Sequence, residues 1–407
     1  MGIFIIKTYF KYWKENNNPK TVNFINMDNQ NYNSKRKKSK IKNKNRHKSI
    51  PNPLFKNEQI ITNNHKTSIN INGKKMFCYE VYKLNNIKSS IYIAFQNLDK
   101  NIEILKYDYK TYSKLVTISI NNTPELIKYF NDEIQNKEYL IIQTFFDINI
   151  YLITDEKYYE KIYSYQEKGR ISRGAEGCYE GRLPISQFII FPDEYKNINY
   201  FIISFFYRVD CSSMNKKISI LKFNKNTLIK VKEIESGDSE MNEKKLFLIW
   251  EDKKSELYYL IFNKYSDLIL LKVNDKKTQD TLTFKEILIV FGEYLGCIIN
   301  DKEGKDFLYI FDYSGVLTIF DLNIKQKIKI INIINNIESI ANWNNNFIIL
   351  ATKYNIYIFD SINEKIINKK TCNFQNDIIS INKFIFEEFK LYSLCLSTSD
   401  NKLRILY

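Results

Sequence analysis

The sequence predicts an all-β fold of repeated four-stranded sheets, and three observations support this prediction. Beyond residue 64, short runs rich in Ile, Tyr, Phe and Leu alternate with turns rich in Asn, Lys and Asp. Many runs alternate apolar and polar residues, as IEILKYD does at 102–108 and NIYIFD at 355–360, which is the pattern of a half-buried strand. The runs also recur in groups of four, and such groups are typical of propeller blades.

The spacing of the groups predicts seven blades. The first apolar residues of the third strands are Ile102, Ile148, Ile218, Leu268, Val316, Ile356 and Leu403. The intervals between them are 46, 70, 50, 48, 40 and 47 residues. Five of the six are close to the period of about 40 to 45 residues in propeller repeats, and the longest contains an insertion. We therefore expect six complete blades and a seventh that needs one more strand.

Three C-terminal segments carry a family resemblance. They are YSGVLTIFD at 313–321, KYNIYIFD at 353–360 and STSDNKLRILY at 397–407. Each resembles the end of a WD40 repeat, in which a polar turn leads into an alternating strand that closes on Trp-Asp. Here the closing pair is Phe-Asp in the first two segments and Leu-Tyr in the third, and no Gly-His dipeptide opens a repeat. The resemblance implies a WD40-like β-propeller over residues 65–407 whose blades are held by packing and strand ladders instead of the family's His and Asp network.

The same resemblance implies how the ring closes. The seventh group has only three strands, and an exposed sheet edge invites pairing with other chains. WD40 propellers complete such a blade with a strand from the N-terminal side. The segment KTSINI at 66–71 has the length and position for this role. We expect it to be the closing strand.

Residues 1–64 are predicted to form a basic, largely disordered tail. They contain fourteen Lys or Arg against three acidic residues, a net charge of +11, which leaves only +4 of the formal +15 for residues 65–407. The near-neutral body does not favour nucleic-acid binding, so a nucleic-acid partner is expected through the tail alone. A dense basic run includes Lys35, Arg36, Lys37, Lys38 and Lys40. It is consistent with a nuclear localisation signal, a phosphate-binding arm or compositional bias.

The residue inventory argues against catalysis, a metal and a cofactor. Histidine occurs only at positions 47 and 65, outside or at the edge of the propeller, which excludes His-based triads from the body. The six cysteines form no CxxC pair, so zinc is not expected, and no P-loop or GxGxxG motif is present. No apolar run is long enough for a transmembrane helix. We expect a non-catalytic intracellular protein, in the nucleus or the cytoplasm, whose cysteines are free thiols in a reducing compartment.

The candidate binding residues are three arginines in an insertion between blades two and three, at 155–184. This segment holds four of the eleven glycines and Arg170, Arg173 and Arg182, three of only seven arginines in a Lys-rich chain. The planar guanidinium suits carboxylate or phosphate recognition. The alternative is a flexible surface loop with incidental charge. A second insertion at 208–217 lengthens blade three, which makes blade three the expected specialised side.

These observations predict a scaffold that binds other proteins within a complex. Two alternatives remain open. One is a phosphoinositide- or membrane-binding propeller of trafficking or autophagy; that family is marked by an adjacent Arg-Arg-Gly in a late blade, whereas here Ser172 precedes Arg173 and Gly174. The other is a propeller of RNA processing or ribosome assembly, which the basic tail permits.

Overall fold

The computed structural model of the protein describes residues 58–60 and 75–406. Within the second range it leaves out 84–88, 97–101, 109–110, 117–121, 134, 156–157, 173–177, 209–213, 239–245, 265, 274–280, 289–293, 301–303, 345, 373–376, 387–390 and 400–402. The chain divides into two compact units, Met1–Pro53 and Leu54–Tyr407. The first unit, with the predicted basic run, lies outside the described residues.

All regular elements of the described chain are β-strands, and six blades each consist of four successive antiparallel strands. The strands of blades one to three, with a short first strand and a two-stranded hairpin, are β1 (Glu58–Ile60), β2 (Lys75–Lys83), β3 (Ser89–Gln96), β4 (Ile102–Asp108), β5 (Thr111–Val116), β6 (Pro124–Asp132), β7 (Lys137–Thr144), β8 (Asp147–Asp155), β9 (Tyr158–Gln166), β10 (Lys168–Ser172), β11 (Cys178–Arg182), β12 (Ile185–Asp193), β13 (Ile198–Arg208), β14 (Met214–Asn224) and β15 (Thr227–Asp238). Blade one is β2–β5, blade two is β6–β9 and blade three is β12–β15.

Blades four to six follow the same plan. Their strands are β16 (Phe247–Asp252), β17 (Leu257–Lys264), β18 (Asp267–Lys272), β19 (Thr281–Phe284), β20 (Tyr294–Asn300), β21 (Asp306–Asp312), β22 (Val316–Asp321), β23 (Gln326–Asn332), β24 (Ser339–Asn344), β25 (Phe347–Ala351), β26 (Asn355–Asp360) and β27 (Lys365–Thr371). Every marker residue chosen from the sequence lies in the third strand of its sheet. The predicted grouping of strands is therefore confirmed.

The last sheet is composite. Its strands are β28 (Ile378–Phe386), β29 (Leu391–Thr398) and β30 (Leu403–Leu406), and β1 pairs antiparallel with β30, from Glu58 opposite Leu406 to Ile60 opposite Arg404. The prediction that residues 66–71 close this sheet is wrong, because β1 occupies the edge of β30; residues 66–71 lie outside the described residues. Residues 58–60, assigned to the tail by sequence, are a paired strand.

The sheets are arranged as a ring. The first strands of successive sheets contact each other. Strand β2 contacts β6, β12 contacts β16, β16 contacts β20, β20 contacts β24 and β24 contacts β28. Blades two and three pack through Phe130 and Phe201, whose ring centroids are 6.2 Å apart. Strand β28 contacts β2, so the composite sheet lies between blade six and blade one. The prediction of an all-β propeller is confirmed.

Side-chain hydrogen bonds link neighbouring sheets in addition to the apolar cores. Such bonds between buried or half-buried groups fix the relative position of two blades, because each unmatched polar group would be costly to bury. The atom pairs are Lys128 Nζ to Glu80 Oε2 (2.6 Å), Tyr139 Oη to Asn226 Oδ1 (3.1 Å), Tyr195 Oη to Glu251 Oε1 (2.7 Å), Trp250 Nε1 to Asp306 Oδ2 (2.9 Å), Tyr309 Oη to the Ser361 carbonyl (3.3 Å), the Ile381 N–H to Ser339 Oγ (3.1 Å) and Tyr79 Oη to Ser380 Oγ (2.8 Å).

Aspartates at the ends of third strands hold the following turns. The Asp321 carboxylate accepts the N–H groups of Asn323 and Ile324 at 2.8 and 3.1 Å. The Asp360 carboxylate accepts the two equivalent N–H groups at 2.9 and 3.1 Å. These are Asx-type turns, in which the side chain mimics a backbone acceptor. The Phe-Asp pairs that carried the WD40 resemblance therefore have a turn-forming role that packing and ladders alone did not predict.

The outer strand of five blades contains a β-bulge at a corresponding position. One residue of the outer strand has no partner on the third strand, because the register skips it. The skipped residues are all aliphatic: Leu115, Ile162, Val231, Ile328 and Ile367. In four of the five, a Lys precedes the skipped residue. Bulges and lysines both oppose the pairing of an edge strand with a foreign strand.

Candidate functional site

The insertion between blades two and three is shorter and more ordered than the sequence predicted. Residues 158–166 form β9, the outer strand of blade two, so the predicted start of the insertion at 155 is wrong. The reason is that β9 is half exposed and contains Glu160, Lys161, Ser164 and Gln166 among its nine residues, so it lacks the apolar run of a buried strand. The true insertion is the antiparallel hairpin β10–β11.

Blade three is also extended. Its strands β13, β14 and β15 contain 11, 11 and 12 residues, whereas most other strands contain four to nine. The predicted insertion at 208–217 is therefore largely strand, since β13 ends at Arg208 and β14 begins at Met214. In an antiparallel sheet the connection from strand two to strand three lies at the same end as the connection to the next blade. The lengthened strands and the hairpin thus share one face of the ring, and β10 contacts β13.

The register of the hairpin separates its side chains into two faces. Lys168 is opposite Arg182, and Arg170 is opposite Glu180. Because side chains alternate along a strand, these four residues lie on one face. All four are exposed. We call them the hairpin face; it carries three cations and one carboxylate.

The opposite face of the hairpin is built for close approach. Gly169 and Gly181 are paired across the two strands. A Cβ atom at Gly169 would lie 3.1 Å from the side chain of Leu183, which is fully buried. The glycines therefore allow the hairpin to pack closely on the body while the charged face points outward.

A buried carboxylate anchors the base of the hairpin. Glu167 lies between β9 and β10, and its backbone carbonyl accepts the N–H of Leu183 at 2.8 Å, which closes the hairpin. Its side chain accepts hydrogen bonds from Lys217 Nζ at 3.0 Å and Lys230 Nζ at 2.8 Å. The Tyr165 hydroxyl donates a further hydrogen bond to it. Since the two lysines belong to β14 and β15, this anchor network ties the hairpin to blade three.

The protonation of the network is tuned by its geometry. Burial by itself raises the pKa of Glu167, but hydrogen bonds from Lys230, Tyr165 and Lys217 outweigh it, so the net pKa is lowered. Glu233 bridges both lysines, at 2.7 Å from Lys230 and 3.4 Å from Lys217, and its pKa is also lowered by them against the effect of burial. Burial, and then the bond to Glu167, raise the pKa of Tyr165. The carboxylates are held in the charged form that retains the hairpin.

Arg182 has a partner in blade two. Its guanidinium lies 3.7 Å from Oδ1 of Asp147, a buried carboxylate at the start of β8. The other oxygen of Asp147 accepts hydrogen bonds from Asn122 and Thr144, both at 3.2 Å. Arg182 therefore combines an exposed side chain with a structural ion pair, which the sequence did not indicate.

The three predicted arginines have different outcomes. Arg170 is exposed on the hairpin face, and Arg182 is on the same face with its ion pair to Asp147. Arg173 belongs to 173–177, which lie outside the described residues. The same holds for Lys35, Arg36, Lys37, Lys38 and Lys40. The structure thus brings two of the predicted residues together and adds Lys168 and Glu180 to the site.

The described residues include no metal centre of the usual kind. In the parts of 75–406 that the structure describes, no group of three His, Cys, Asp or Glu side chains is placed to hold a metal ion. Cys78, Cys297 and Cys372 are buried free thiols, and burial raises the pKa of Cys297 to about 12. No helix in the described part of the chain is long and apolar enough to cross a membrane.

Comparison with known proteins supports the fold. No protein-family model matches the sequence. No curated protein sequence matches it either. Among solved structures, Sqt1 of Saccharomyces cerevisiae matches with a TM-score of 0.55 and 8% identity over 82% of this chain and 96% of that one. Chaetomium thermophilum Raptor matches with a TM-score of 0.53 and 12% identity over 82% of this chain, which spans only 28% of Raptor.

A third match names the class of fold directly. The WD40 β-propeller domain of Doa1 matches with a TM-score of 0.50 and 11% identity over 83% of this chain and 97% of that one. At such low identity the likeness concerns the fold alone. The chain adopts a WD40-type β-propeller fold, as the three C-terminal segments indicated.

Proposed function

We propose that this protein is a non-catalytic scaffold that binds an acidic protein through the hairpin face. The observation that carries this proposal is the anchored hairpin, a two-stranded element outside the blades with three cations on its exposed face. An ion network centred on the buried Glu167 ties it to blade three. WD40-type propellers typically serve as rigid platforms for partners, and an insertion with ordered arginines is a natural recognition element on one.

The chemistry of the hairpin face favours a carboxylate-bearing partner. Arg170 and Arg182 present planar forks that make paired hydrogen bonds with carboxylates, and Lys168 adds a point charge. The network around Glu167 holds the strands in a fixed register, so little conformational entropy is lost when a partner binds.

The proposal is tested by reversing charge on the hairpin. Lys168→Glu with Arg170→Glu in the full-length protein should abolish co-purification of the partner, because two charge-assisted contacts worth about 1.5–3 kcal/mol each are lost and replaced by repulsion. A matched control is Lys253→Glu with Lys254→Glu, two exposed lysines in the β16–β17 turn. Quantitative mass spectrometry of both pull-downs identifies partners lost only with the hairpin variant, and titration with the purified partner measures the affinity.

Two results would contradict this function. One is a set of bound proteins that is identical for wild type and the hairpin variant. The other is equal loss of partners in the hairpin variant and the control, since that would show a general response to negative charge. Equal melting temperatures of the variants confirm that the fold is unchanged.

We also propose that the composite sheet serves as the seventh blade. The support is that β28 contacts the first strands of blades six and one, and that β1 covers the edge of β30. Replacing residues 58–60 by Gly-Pro-Gly should lower the melting temperature, because Pro cannot donate to the ladder and the edge becomes exposed. The same replacement at 66–68 is the control. A larger effect at 66–68 would contradict closure by β1.

A further proposal concerns the tail. The run at Lys35, Arg36, Lys37, Lys38 and Lys40 directs the protein to the nucleus, in keeping with its dense positive charge. A fluorescent fusion of residues 1–64 should concentrate in the nucleus, and alanine at the five positions should release it to the cytoplasm. A cytoplasmic signal from the unmutated fusion would refute this proposal and leave the hairpin proposal intact.

A further inference from the structure

Two stretches of the folded body carry a local excess of lysine. Residues 322–332 and 361–371 contain six lysines and one glutamate, a net charge of +5. Residues 65–407 as a whole carry only +4. The remainder of the body is therefore close to neutral. These two stretches are the outer strands β23 and β27 with the turns that precede them.

The two strands are neighbours on the outside of the ring. They belong to the adjacent blades five and six, and Lys329 of β23 forms an ion pair with Glu364 beside β27. The two strands and the turns before them expose isoleucine among the lysines, with exposed fractions of 37% to 60% for Ile324, Ile328, Ile362 and Ile367. We define the lysine–isoleucine rim as Ile324, Lys327, Ile328, Ile362, Lys365 and Ile367.

The bulges determine what kind of partner the rim accepts. Ile328 and Ile367 are the skipped residues of their bulges, so the ladder is interrupted where they project. A foreign β-strand would need a regular edge without lysines, and the rim has neither property. Protein interfaces are enriched in Tyr, Trp and Arg and depleted in Lys, whereas the rim consists of Lys and Ile. Strand addition and a conventional protein hot spot are both disfavoured.

We propose that the rim binds an anionic lipid surface. A diffuse sheet of negative headgroups is attracted by lysine point charges without requiring forked geometry. Branched aliphatic side chains that project between lysines enter the apolar boundary of the bilayer, while the lysine ammonium groups remain at the headgroups. Charge complementarity and the exposed isoleucines thus identify the same occupant. This site is separate from the hairpin face, so the lipid-binding proposal does not depend on the proposed scaffold function.

The experiment is co-sedimentation of the full-length protein with lipid vesicles. All proteins carry alanine at Lys35, Arg36, Lys37, Lys38 and Lys40, so that the tail contributes less. Wild-type rim should bind vesicles of phosphatidylcholine with phosphatidylserine and bind poorly to phosphatidylcholine alone. The charge variant Lys327→Glu with Lys365→Glu should bind the anionic vesicles at least about 25-fold more weakly, because each lysine near such a surface contributes roughly a factor of five.

Two matched variants distinguish binding through the rim from binding through any exposed apolar surface. The apolar variant Ile328→Ser with Ile367→Ser should weaken binding about ten-fold through lost insertion. Its control is Ile229→Ser with Val231→Ser on β15, where similarly exposed aliphatic residues border a bulge but the strand carries two lysines and two glutamates. The control should bind like the wild type.

Three outcomes would overturn the assignment. The first is equal binding of the wild type to anionic and neutral vesicles, and the second is equal binding of the rim variants and the β15 control. The third is a wild type that does not bind vesicles but needs the rim lysines to bind an acidic protein. That result would show that the rim binds a protein and not a lipid surface. Equal melting temperatures of all variants exclude misfolding as the cause.

Discussion

The hairpin face and the lysine–isoleucine rim are both positively charged, but they are constructed in different ways. The hairpin face has arginines on two strands in fixed register, with a buried carboxylate holding the base. The rim has lysines and isoleucines on two edge strands whose ladders are interrupted by bulges. The first region presents arginine forks on a register fixed by strand pairing. The second presents lysine point charges beside exposed isoleucines.

The difference shows that the sign of a charged patch does not define its partner. Fixed guanidinium groups recognise the direction of a carboxylate, whereas lysines on a flexible stem respond to charge density. In the proposed binding mode, the anchor network acts indirectly, because it fixes the position of the hairpin that carries the arginines.

Removing the anchor should produce the largest loss. Glu167→Gln leaves Lys217 and Lys230 without their shared carboxylate, and we expect the free energy of unfolding to fall by about 2–3 kcal/mol. The partial exposure of Lys230 and Glu233 keeps the effect below that of a fully buried pair. Chemical denaturation measures it. Glu160→Gln, at an exposed position on the same outer strand as Tyr165, should change stability by less than about 0.5 kcal/mol. Equal effects would show that the hairpin is not anchored as described.

Acid should remove the same contribution. The pKa of Glu167 and that of Glu233 are lowered in the folded protein, so the stability they supply is present above their ordinary value of 4.5 and is lost as the pH falls below it toward the folded values. The difference in melting temperature between wild type and Glu167→Gln should therefore be large at pH 7 and should shrink in acid. A difference that is constant with pH would contradict the charged state of Glu167.

Alanine substitutions of the two arginines of the hairpin face should lower the stability of the protein by different amounts. Arg182→Ala deprives buried Asp147 of its cation, and we expect a loss of about 0.5–1 kcal/mol, limited because the arginine is half exposed. Arg170→Ala should remain within about 0.5 kcal/mol of wild type in the same unfolding titration. Both substitutions should weaken binding of the proposed acidic partner. A stability loss that is larger for Arg170 would reverse the assigned roles.

Exchanging lysine and arginine should have the smallest effect at the rim. Lys327→Arg with Lys365→Arg preserves charge, so vesicle binding should be unchanged within about two-fold. Arg170→Lys with Arg182→Lys should instead weaken partner binding, because the forked geometry is lost. Titrations of vesicles and of the partner measure the two effects. If both regions tolerate the exchange, the geometric distinction between them is wrong.

The sequence predicts the repeated part of this fold well. Third strands are long apolar runs followed by a turn, and buried strands of this type are visible without any partner information. Outer strands are harder to predict from the sequence, because their exposure removes the apolar run that marks a buried strand. Strand β9 is half exposed, and the sequence alone places it in an insertion. The closing strand was misplaced, because residues 58–60 and 66–71 both offer a short segment with strand-like residues near the start of the body. Only the paired register distinguishes them.

The candidate site was predicted only in part, for a physical reason. The concentration of Arg170, Arg173 and Arg182 in a Lys-rich chain is visible in composition. The anchor is not, since Glu167 is 50 and 63 positions from the two lysines that hold it. Long-range ion pairs leave no local pattern, and neither does the pairing of Arg182 with Asp147. Such contacts become visible only when the blades are placed side by side.

The pairing of β1 with β30 has a consequence for biosynthesis. Ile60 and its partner Arg404 are 344 positions apart, so β1 leaves the ribosome long before its partner exists. At roughly 5–20 residues per second the delay is about 17–70 s. The six blades of consecutive strands form their ladders from neighbouring sequence and are complete earlier. Translation that stops before β30 therefore yields six finished blades and a last sheet that lacks both β30 and β1, a product that chaperones and proteases can distinguish from the complete one by its exposed edges.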